Sequence, residues 1–167
     1  VPGNHEAMVK TEYRRALYDR MHACGVIFMI DRSVELTREE AAITLTGLES
    51  IRKADYFALK QISDAQTDFV VLLEHNPTDA KAFLQSDADL TLTGHTHGGQ
   101  FRLPLIGGLY APDQGILPEY DGGAFYDAGH MLIINRGVGN SGFPFRVGNR
   151  PEIVTVTLHR TEGGETT

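Results

Sequence analysis

Apolar positions recur at helical spacing early in the chain and form short continuous runs after that. Residues 6–25 carry apolar side chains near every third or fourth position, which predicts a helix that Gly25 ends. The runs 26–31 and 41–48 predict two strands. The segment 50–63 predicts the next helix, because its apolar side chains share one face.

Five consecutive apolar residues at 69–73 are typical of a strand that is buried on both faces. Pro77 ends this strand, and Thr78 is placed to cap a helix over 79–86. The alternating segment 89–94 then predicts another strand. This order of strand, helix and strand predicts an α/β fold with a parallel sheet flanked by helices.

Glycine and proline become frequent after Gly99, and the helical patterns stop there. Residues 130–135 and 152–158 predict two strands, which we expect to be antiparallel. The polar, glycine-containing segment 161–167 indicates a disordered tail. The pattern therefore predicts one domain over 1–160, without an internal repeat or linker.

The composition narrows the class of protein. The 167 residues suffice for one sizeable core, and the net charge of -7 argues against broad electrostatic binding of nucleic acid. Cys24 is the sole cysteine, so we expect it to pack in its helix rather than to form a disulfide or a cysteine-rich zinc site. No apolar run reaches the roughly 20 residues that span a bilayer, so the chain is expected to be soluble.

Two histidines, His95 and His97, stand one residue apart in "GHTHGG" at the end of a predicted strand. If strand geometry continues through them, both side chains leave the same face about 7 Å apart. Such a pair suits ligands of one metal ion or of two adjacent ions. The flanking glycines allow the backbone to turn sharply and to approach a bound group.

Polar residues also stand at the ends of other predicted strands and helices. His75 follows the buried strand, and Asn4 and His5 precede the first helix. Each feature has a plainer interpretation, since His75 fits a loop or packing histidine and residues 4–5 fit a turn. In open parallel sheets, however, ligands gather beyond the carboxyl ends of the strands, and the joint occurrence favours a metal site. Arg136 follows a strand as well and fits either a phosphate-binding residue or a solvated loop arginine.

The segments "PGNHE", "EHNP" and "TGHTHGGQFRLP" resemble the third, fourth and fifth motifs of the calcineurin-like metallophosphoesterases. The resemblance is closest to a bacterial branch, the YkuE/YaeI-type phosphodiesterases. It continues through "RLPLIGGLYAP", "NRGVGNSG" and "RPEIVTVTL", so it covers nearly the whole chain. It implies a four-layer α/β/β/α sandwich with mixed sheets and a dinuclear metal centre.

The resemblance also implies a role for each site residue. Asn4, His75 and His95 would bind one metal ion, and His97 would bind the other. His5 would stand near the scissile phosphate as a proton donor or charge stabiliser. Imidazole and amide ligands suit Mn, Fe or Zn, and two such ions hydrolyse phosphodiesters or phosphomonoesters through an activated water.

The family's first two motifs, D-x-H and G-D, precede "GNHE" in the family and have no counterpart here. The sequence therefore predicts the C-terminal portion of a metallophosphoesterase domain whose full-length parent is a hydrolase. The chain alone is expected to be inactive, to hold at most one metal ion weakly, and to self-associate through an exposed sheet edge. Its partners would be a phosphate-ester substrate and the missing N-terminal half of the domain. The branch is often membrane-associated through upstream segments, so a membrane or cytoplasmic location of the parent stays open.

Two alternatives remain open at this point. One is a non-catalytic protein-interaction scaffold that keeps the fold without the metals, and the other is a single structural zinc site. Retention of the motif residues favours the enzyme, because a scaffold has no need of them. The residues concerned are Asn4, His5, His75, His95 and His97.

Overall fold

The computed structural model of the chain describes residues 1–49, 65, 67–140, 142 and 144–160. The helix predicted over 50–63 and the tail predicted over 161–167 lie outside the described residues.

Ten strands and three α-helices make up the regular structure of the described residues. The strands are β1 Arg32–Arg38, β2 Ala41–Gly47, β3 Val70–Leu73, β4 Leu90–Thr93, β5 Arg102–Leu103, β6 Gly107–Gly108, β7 Tyr110–Ala111, β8 Gly115–Ile116, β9 Gly123–Asp127 and β10 His130–Ile134. The α-helices are α1 Asn4–Met8, α2 Thr11–Ala23 and α3 Ala80–Leu84. Two 3-10 turns span Pro77–Asp79 and His97–Gly99.

Six of the strands form one mixed sheet in the order β1-β2-β3-β4-β10-β9. The inner strands β2, β3, β4 and β10 are parallel to their inner neighbours, whereas β1 and β9 pair antiparallel at the two edges. The remaining strands form two small two-stranded sheets, β5 with β6 and β7 with β8. The predicted α/β class with mixed sheets is therefore confirmed, as are the strands predicted over 41–48, 69–73, 89–94 and 130–135.

The core lies between α3 and one face of the six-stranded sheet. Phe83 of α3 packs with Val70 and Leu72 of β3, and Leu84 of α3 packs with Leu132 of β10. Val71, on the opposite face of β3, is buried as well. The prediction that this strand is buried on both faces is thus confirmed.

The hairpin of β1 and β2 corrects the first predicted strand. Residues 26–31 form no strand, and the strand that pairs with β2 is the more polar β1, with Arg32 opposite Gly47. The turn at 39–40 sets this register, because pairing proceeds outward from the turn and reaches only as far as the seven residues of β2. The apolar run 26–31 lies beyond that reach.

The strand predicted over residues 152–158 is also absent from the structure. Residues 152–158 alternate in polarity, yet they form no strand, and Ile153 is 82% exposed. Strand β10 takes its antiparallel partner from β9 instead. Alternation favours a strand only when a neighbour supplies hydrogen bonds to its backbone, and none of the described strands pairs with 152–158.

The helix predicted over 6–25 is divided at residues 9–10 into α1 and α2. No residue of α2 is buried, and Cys24 at its end is exposed, so the predicted packing role of Cys24 is wrong. The ring of Tyr18 packs against that of Phe28, and the two ring centroids lie 4.2 Å apart. The apolar spacing therefore predicted a helix, but the structure buries none of its residues.

The start of α3 also differs from prediction. The side chain of Asn76, rather than that of Thr78, caps the turn by accepting a hydrogen bond from the Thr78 backbone N–H at 3.0 Å. Pro77 then occupies the first position of the 3-10 turn, where its missing N–H costs nothing.

The core predicts the effect of a truncation in β3. Leu72→Ala should lower the free energy of unfolding by about 2–5 kcal/mol, because Leu72 is fully buried and its loss leaves a cavity. Chemical unfolding measures the change. Leu105→Ala is the matched control, since Leu105 is fully exposed and its loss should change the free energy by less than about 0.5 kcal/mol. Equal effects of the two substitutions would contradict this description of the core.

Candidate metal centre

His75 and His95 follow neighbouring parallel strands. His75 lies two residues beyond the end of β3, and His95 lies two residues beyond the end of β4. The two strands pair with Leu73 opposite Leu92, so their carboxyl ends meet at one edge of the sheet. The Gly94 N–H donates to the His75 carbonyl at 3.0 Å, which joins the two loops directly.

Asn4 completes a cluster of three side chains at this edge. Its Oδ1 lies 3.1 Å from Nε2 of His75, and the same Nε2 lies 3.1 Å from Nδ1 of His95. Gly3 allows α1 to approach so closely, because a Cβ at Gly3 would lie only 2.9 Å from the His75 ring. The three residues that the sequence assigned to one metal ion are therefore brought together.

The donor set and its spacing fit a divalent ion. Imidazole nitrogens and oxygens bind zinc-like ions at about 2.0–2.2 Å, so two ligands of one ion stand about 3 Å apart. The observed 3.1 Å separations match that spacing. No group of three His, Cys, Asp or Glu suited to a metal occurs among the described residues.

The second nitrogen of His95 contacts a carboxylate that the sequence reasoning missed. Nε2 of His95 lies 3.0 Å from Oδ2 of Asp113, while the His95 side chain is only 4% exposed. Asn76 donates from its Nδ2 to the same oxygen at 2.9 Å. The available signal is the sequence Pro-Asp-Gln-Gly at 112–115, but that pattern indicates a turn and no more.

Strand geometry does not continue through His95 and His97, so the predicted strand-like arrangement of the pair is wrong. Both residues have positive φ, +65° for His95 and +49° for His97, and a 3-10 turn begins at His97. The His97 ring makes a hydrogen bond with the Gly139 backbone, and its charge interacts with that of His95. The glycine-rich sequence favoured a turn here over a strand.

The turn that carries His97 is held by buried polar side chains. Asn149 donates from Nδ2 to the His97 carbonyl at 2.6 Å, and the hydroxyl of Thr96 donates to the Asp121 carbonyl at 2.8 Å. Gly98 has φ +64°, and a Cβ there would lie 2.6 Å from Oδ1 of Asn149. Glycine is therefore required at 98 on both conformational and steric grounds.

Arg136 packs against this turn and forms an ion pair. Its Nη2 donates to Oε1 of Glu152 at 2.6 Å, and its backbone N–H donates to the same carboxylate at 3.1 Å. The pairing raises the pKa of Arg136 and lowers that of Glu152. Contact of Arg136 with a phosphate stays a prediction, and in this structure the guanidinium faces a carboxylate.

His5 lies on α1 beside the cluster and is exposed. It is close enough that its charge opposes protonation of both His75 and His97. An exposed imidazole at the rim of the cluster is suitably placed to meet a ligand that arrives from solvent.

Burial keeps His75 in its metal-binding form. Desolvation and the neighbouring His95 together lower the pKa of His75 to about 4, against an opposing effect of Glu6. Desolvation also lowers the pKa of His97. A neutral imidazole offers a free lone pair, so protons do not compete for His75 at neutral pH.

A cavity of about 840 Å³ lies elsewhere, between the β1–β2 turn, residues 68–69 and residues 157–160. It opens at the amino ends of β2 and β3, whereas His75 and His95 lie at the carboxyl ends. This cavity therefore does not belong to the histidine cluster.

The lowered pKa of His75 predicts a pH dependence of stability for the metal-free chain. Between pH 6.5 and about 4, His75 binds protons in the unfolded chain but not in the folded chain, so stability should fall as pH drops through this window. Thermal unfolding in the presence of a chelator measures the trend. His75→Gln should flatten it, and His159→Gln, at an exposed position, should leave it as in the unsubstituted chain. The same pH dependence in all three chains would contradict the buried neutral state of His75.

None of the helices in the part of the chain that the structure describes has the length and apolar character needed to cross a bilayer. No model of a protein family matches the chain, and no solved structure matches it either.

Comparison with known proteins finds relatives whose names include metallophosphoesterase or phosphodiesterase. The chain is 36% identical to the metallophosphoesterase YkuE of Bacillus subtilis over 103 residues. The matched region covers 62% of this chain and 35% of YkuE. It is 29% identical to the phosphodiesterase YaeI of Escherichia coli over 93% of this chain and 56% of YaeI. It is 36% identical to a zebrafish transmembrane protein with a metallophosphoesterase domain over 93% of this chain and 37% of that protein.

The chain spans about half the length, or less, of the curated relatives that it matches. The predicted relationship is confirmed by these similarities, two of which extend over 93% of the chain. The chain belongs to the metallophosphoesterase family.

Proposed function

We propose that the chain forms part of the active centre of a metal-dependent phosphoesterase that hydrolyses phosphodiesters or phosphomonoesters. The proposal rests on the close approach of three donor atoms. Asn4 Oδ1 lies 3.1 Å from His75 Nε2, which in turn lies 3.1 Å from His95 Nδ1. The relative YaeI, whose name is phosphodiesterase, supports the substrate class.

Within this centre, each residue has a distinct role. Asn4, His75 and His95 would hold one divalent ion of Mn, Fe or Zn, and His97 would hold a second. Bound ions of this kind stabilise charge on phosphate oxygens and lower the pKa of water. His5, exposed on α1, would donate a proton or stabilise charge at the scissile phosphate. Arg136 would reach the phosphate only if it exchanged Glu152 for that anion.

The chain by itself supplies an incomplete set of ligands. The cluster consists of neutral donors, and the family's D-x-H and G-D motifs, which contribute carboxylates, have no counterpart in the sequence. Nothing in the cluster of three balances the charge of two divalent ions. We therefore propose that activity belongs to the full-length protein, that the missing N-terminal half of the domain is the partner of this chain, and that the chain alone is inactive and holds at most one ion weakly.

A non-catalytic scaffold is the rival function. Close spacing of the donors and the lowered pKa of His75 favour the enzyme, because a scaffold requires neither.

For the full-length protein we propose membrane association, since the zebrafish relative is named a transmembrane protein.

Hydrolysis of bis-p-nitrophenyl phosphate tests the proposed function. A protein that carries this chain together with the D-x-H and G-D motifs should be active with Mn²⁺, and the isolated chain should be inactive. His95→Ala and His97→Ala should each remove most activity of the longer protein without unfolding it, because their side chains supply donors rather than core contacts. His22→Ala, at an exposed site in α2, is the control and should keep full activity. Normal turnover by either ligand variant would exclude that residue from the centre.

A second substitution separates proton transfer from metal binding. His5→Ala in the longer protein should lower kcat by roughly 10²–10⁴-fold, the usual contribution of a positioned acid or base. Its metal content, measured by elemental analysis, should stay unchanged. Loss of metal together with activity would instead make His5 a ligand.

A further inference from the structure

The two ring nitrogens of His95 face different partners. Nδ1 lies 3.1 Å from Nε2 of His75, whereas Nε2 lies 3.0 Å from a carboxylate oxygen of Asp113. An ionised carboxylate accepts hydrogen bonds and donates none, so the proton of a neutral His95 must sit on Nε2. Nδ1 then carries a free lone pair that is directed at the cluster.

Asp113 is held in place from two sides. It occupies the turn between β7 and β8 with φ +63°, a conformation that aspartate tolerates better than most residues. Its Oδ2 also accepts a hydrogen bond from Nδ2 of Asn76 at 2.9 Å. Asn76 is itself fixed, because its Oδ1 accepts from the backbone N–H of Thr78.

We propose that Asp113 is a positioning residue of the metal centre, which fixes His95 in the Nε2–H tautomer and so presents Nδ1 to the ion. This inference rests on the proposed function, in which His95 binds a metal. Histidines that bind metals usually donate their other N–H to a carboxylate or carbonyl, and loss of such a partner typically lowers metal affinity 10–100-fold. Asp113 touches no donor of the cluster other than His95 in the contacts that the structure describes.

The alternative is a surface ion pair that merely ties two loops together. The Asp113 side chain is 56% exposed, and exposed ion pairs contribute little to stability. Under that alternative, removal of Asp113 would leave the tautomer of His95 unchanged. The tautomer is therefore the measurement that separates the two roles.

Nitrogen NMR of the metal-free chain tests the proposal without any bound ion. At pH 8, above the ordinary histidine pKa of about 6.5, the imidazole nitrogens of His95 should show the Nε2–H form. Asp113→Ala should convert this signal to a mixture of both tautomers. Asp127→Ala removes an exposed carboxylate of β9 and serves as the control, with no change expected. An unchanged His95 tautomer in Asp113→Ala would overturn the proposal.

Metal affinity gives the second readout. In a protein that carries this chain together with the D-x-H and G-D motifs, titration with Co²⁺, followed by its visible absorption, should show binding 10–100-fold weaker for Asp113→Ala than for the unsubstituted protein. Asp113→Asn keeps an oxygen that accepts from Nε2, so it should retain the tautomer and lose less affinity. If Asp113→Ala does not fold, Asp113→Leu replaces it, because its side chain cannot accept from Nε2, and affinity equal to that of the unsubstituted protein would then count against Asp113.

The two proposals fail in different ways. A protein that carries this chain together with the D-x-H and G-D motifs but binds no Co²⁺, whatever residue stands at 113, would contradict the metal site of the proposed function. The tautomer of His95 would still report on Asp113 in that case. Normal Co²⁺ binding with an unchanged tautomer in Asp113→Ala would instead reject Asp113 and keep the site.

Discussion

Parallel pairing of β3 with β4 is the interaction on which the candidate metal centre depends. His75 and His95 are 20 residues apart in sequence, and the pairing of Leu73 with Leu92 brings the loops that carry them side by side. A slip of one residue in this register would turn the side chains of one strand to the other face of the sheet. Close packing on both faces of β3 opposes such a slip, because each buried side chain would lose the neighbours against which it packs.

Burial and charge act in opposite directions at this edge of the sheet. Desolvation holds His75 neutral and ready to bind a metal, but the same low polarity penalises the charge of an ion. The carboxylate that contacts the cluster, Asp113, reaches it through the far nitrogen of His95. As a proposed positioning residue it would offset only part of an ion's charge, which is why the proposed centre includes carboxylates from outside the described cluster.

Several features could be predicted from the sequence because they depend on local pattern. Continuous apolar residues at 69–73 specify a strand buried on both faces, and alternation at 89–94 specifies its neighbour. The placement of His75 and His95 at strand ends follows once two parallel strands are expected. Asn4 was assigned to the same ion through the motif in which it occurs, and its Oδ1 does lie beside His75.

Other features were decided by the tertiary structure, because each depends on a partner that is distant in sequence. The hairpin turn pairs β2 with the polar β1 rather than with the apolar run 26–31. Residues 152–158 form no strand, because none of the described strands pairs with them. Asp113 lies 18 residues from His95, and its role emerges only when the turn between β7 and β8 is folded against the end of β4. The sequence by itself determined which side chains could bind a metal, and the packing of the loops determined which nitrogen each one presents.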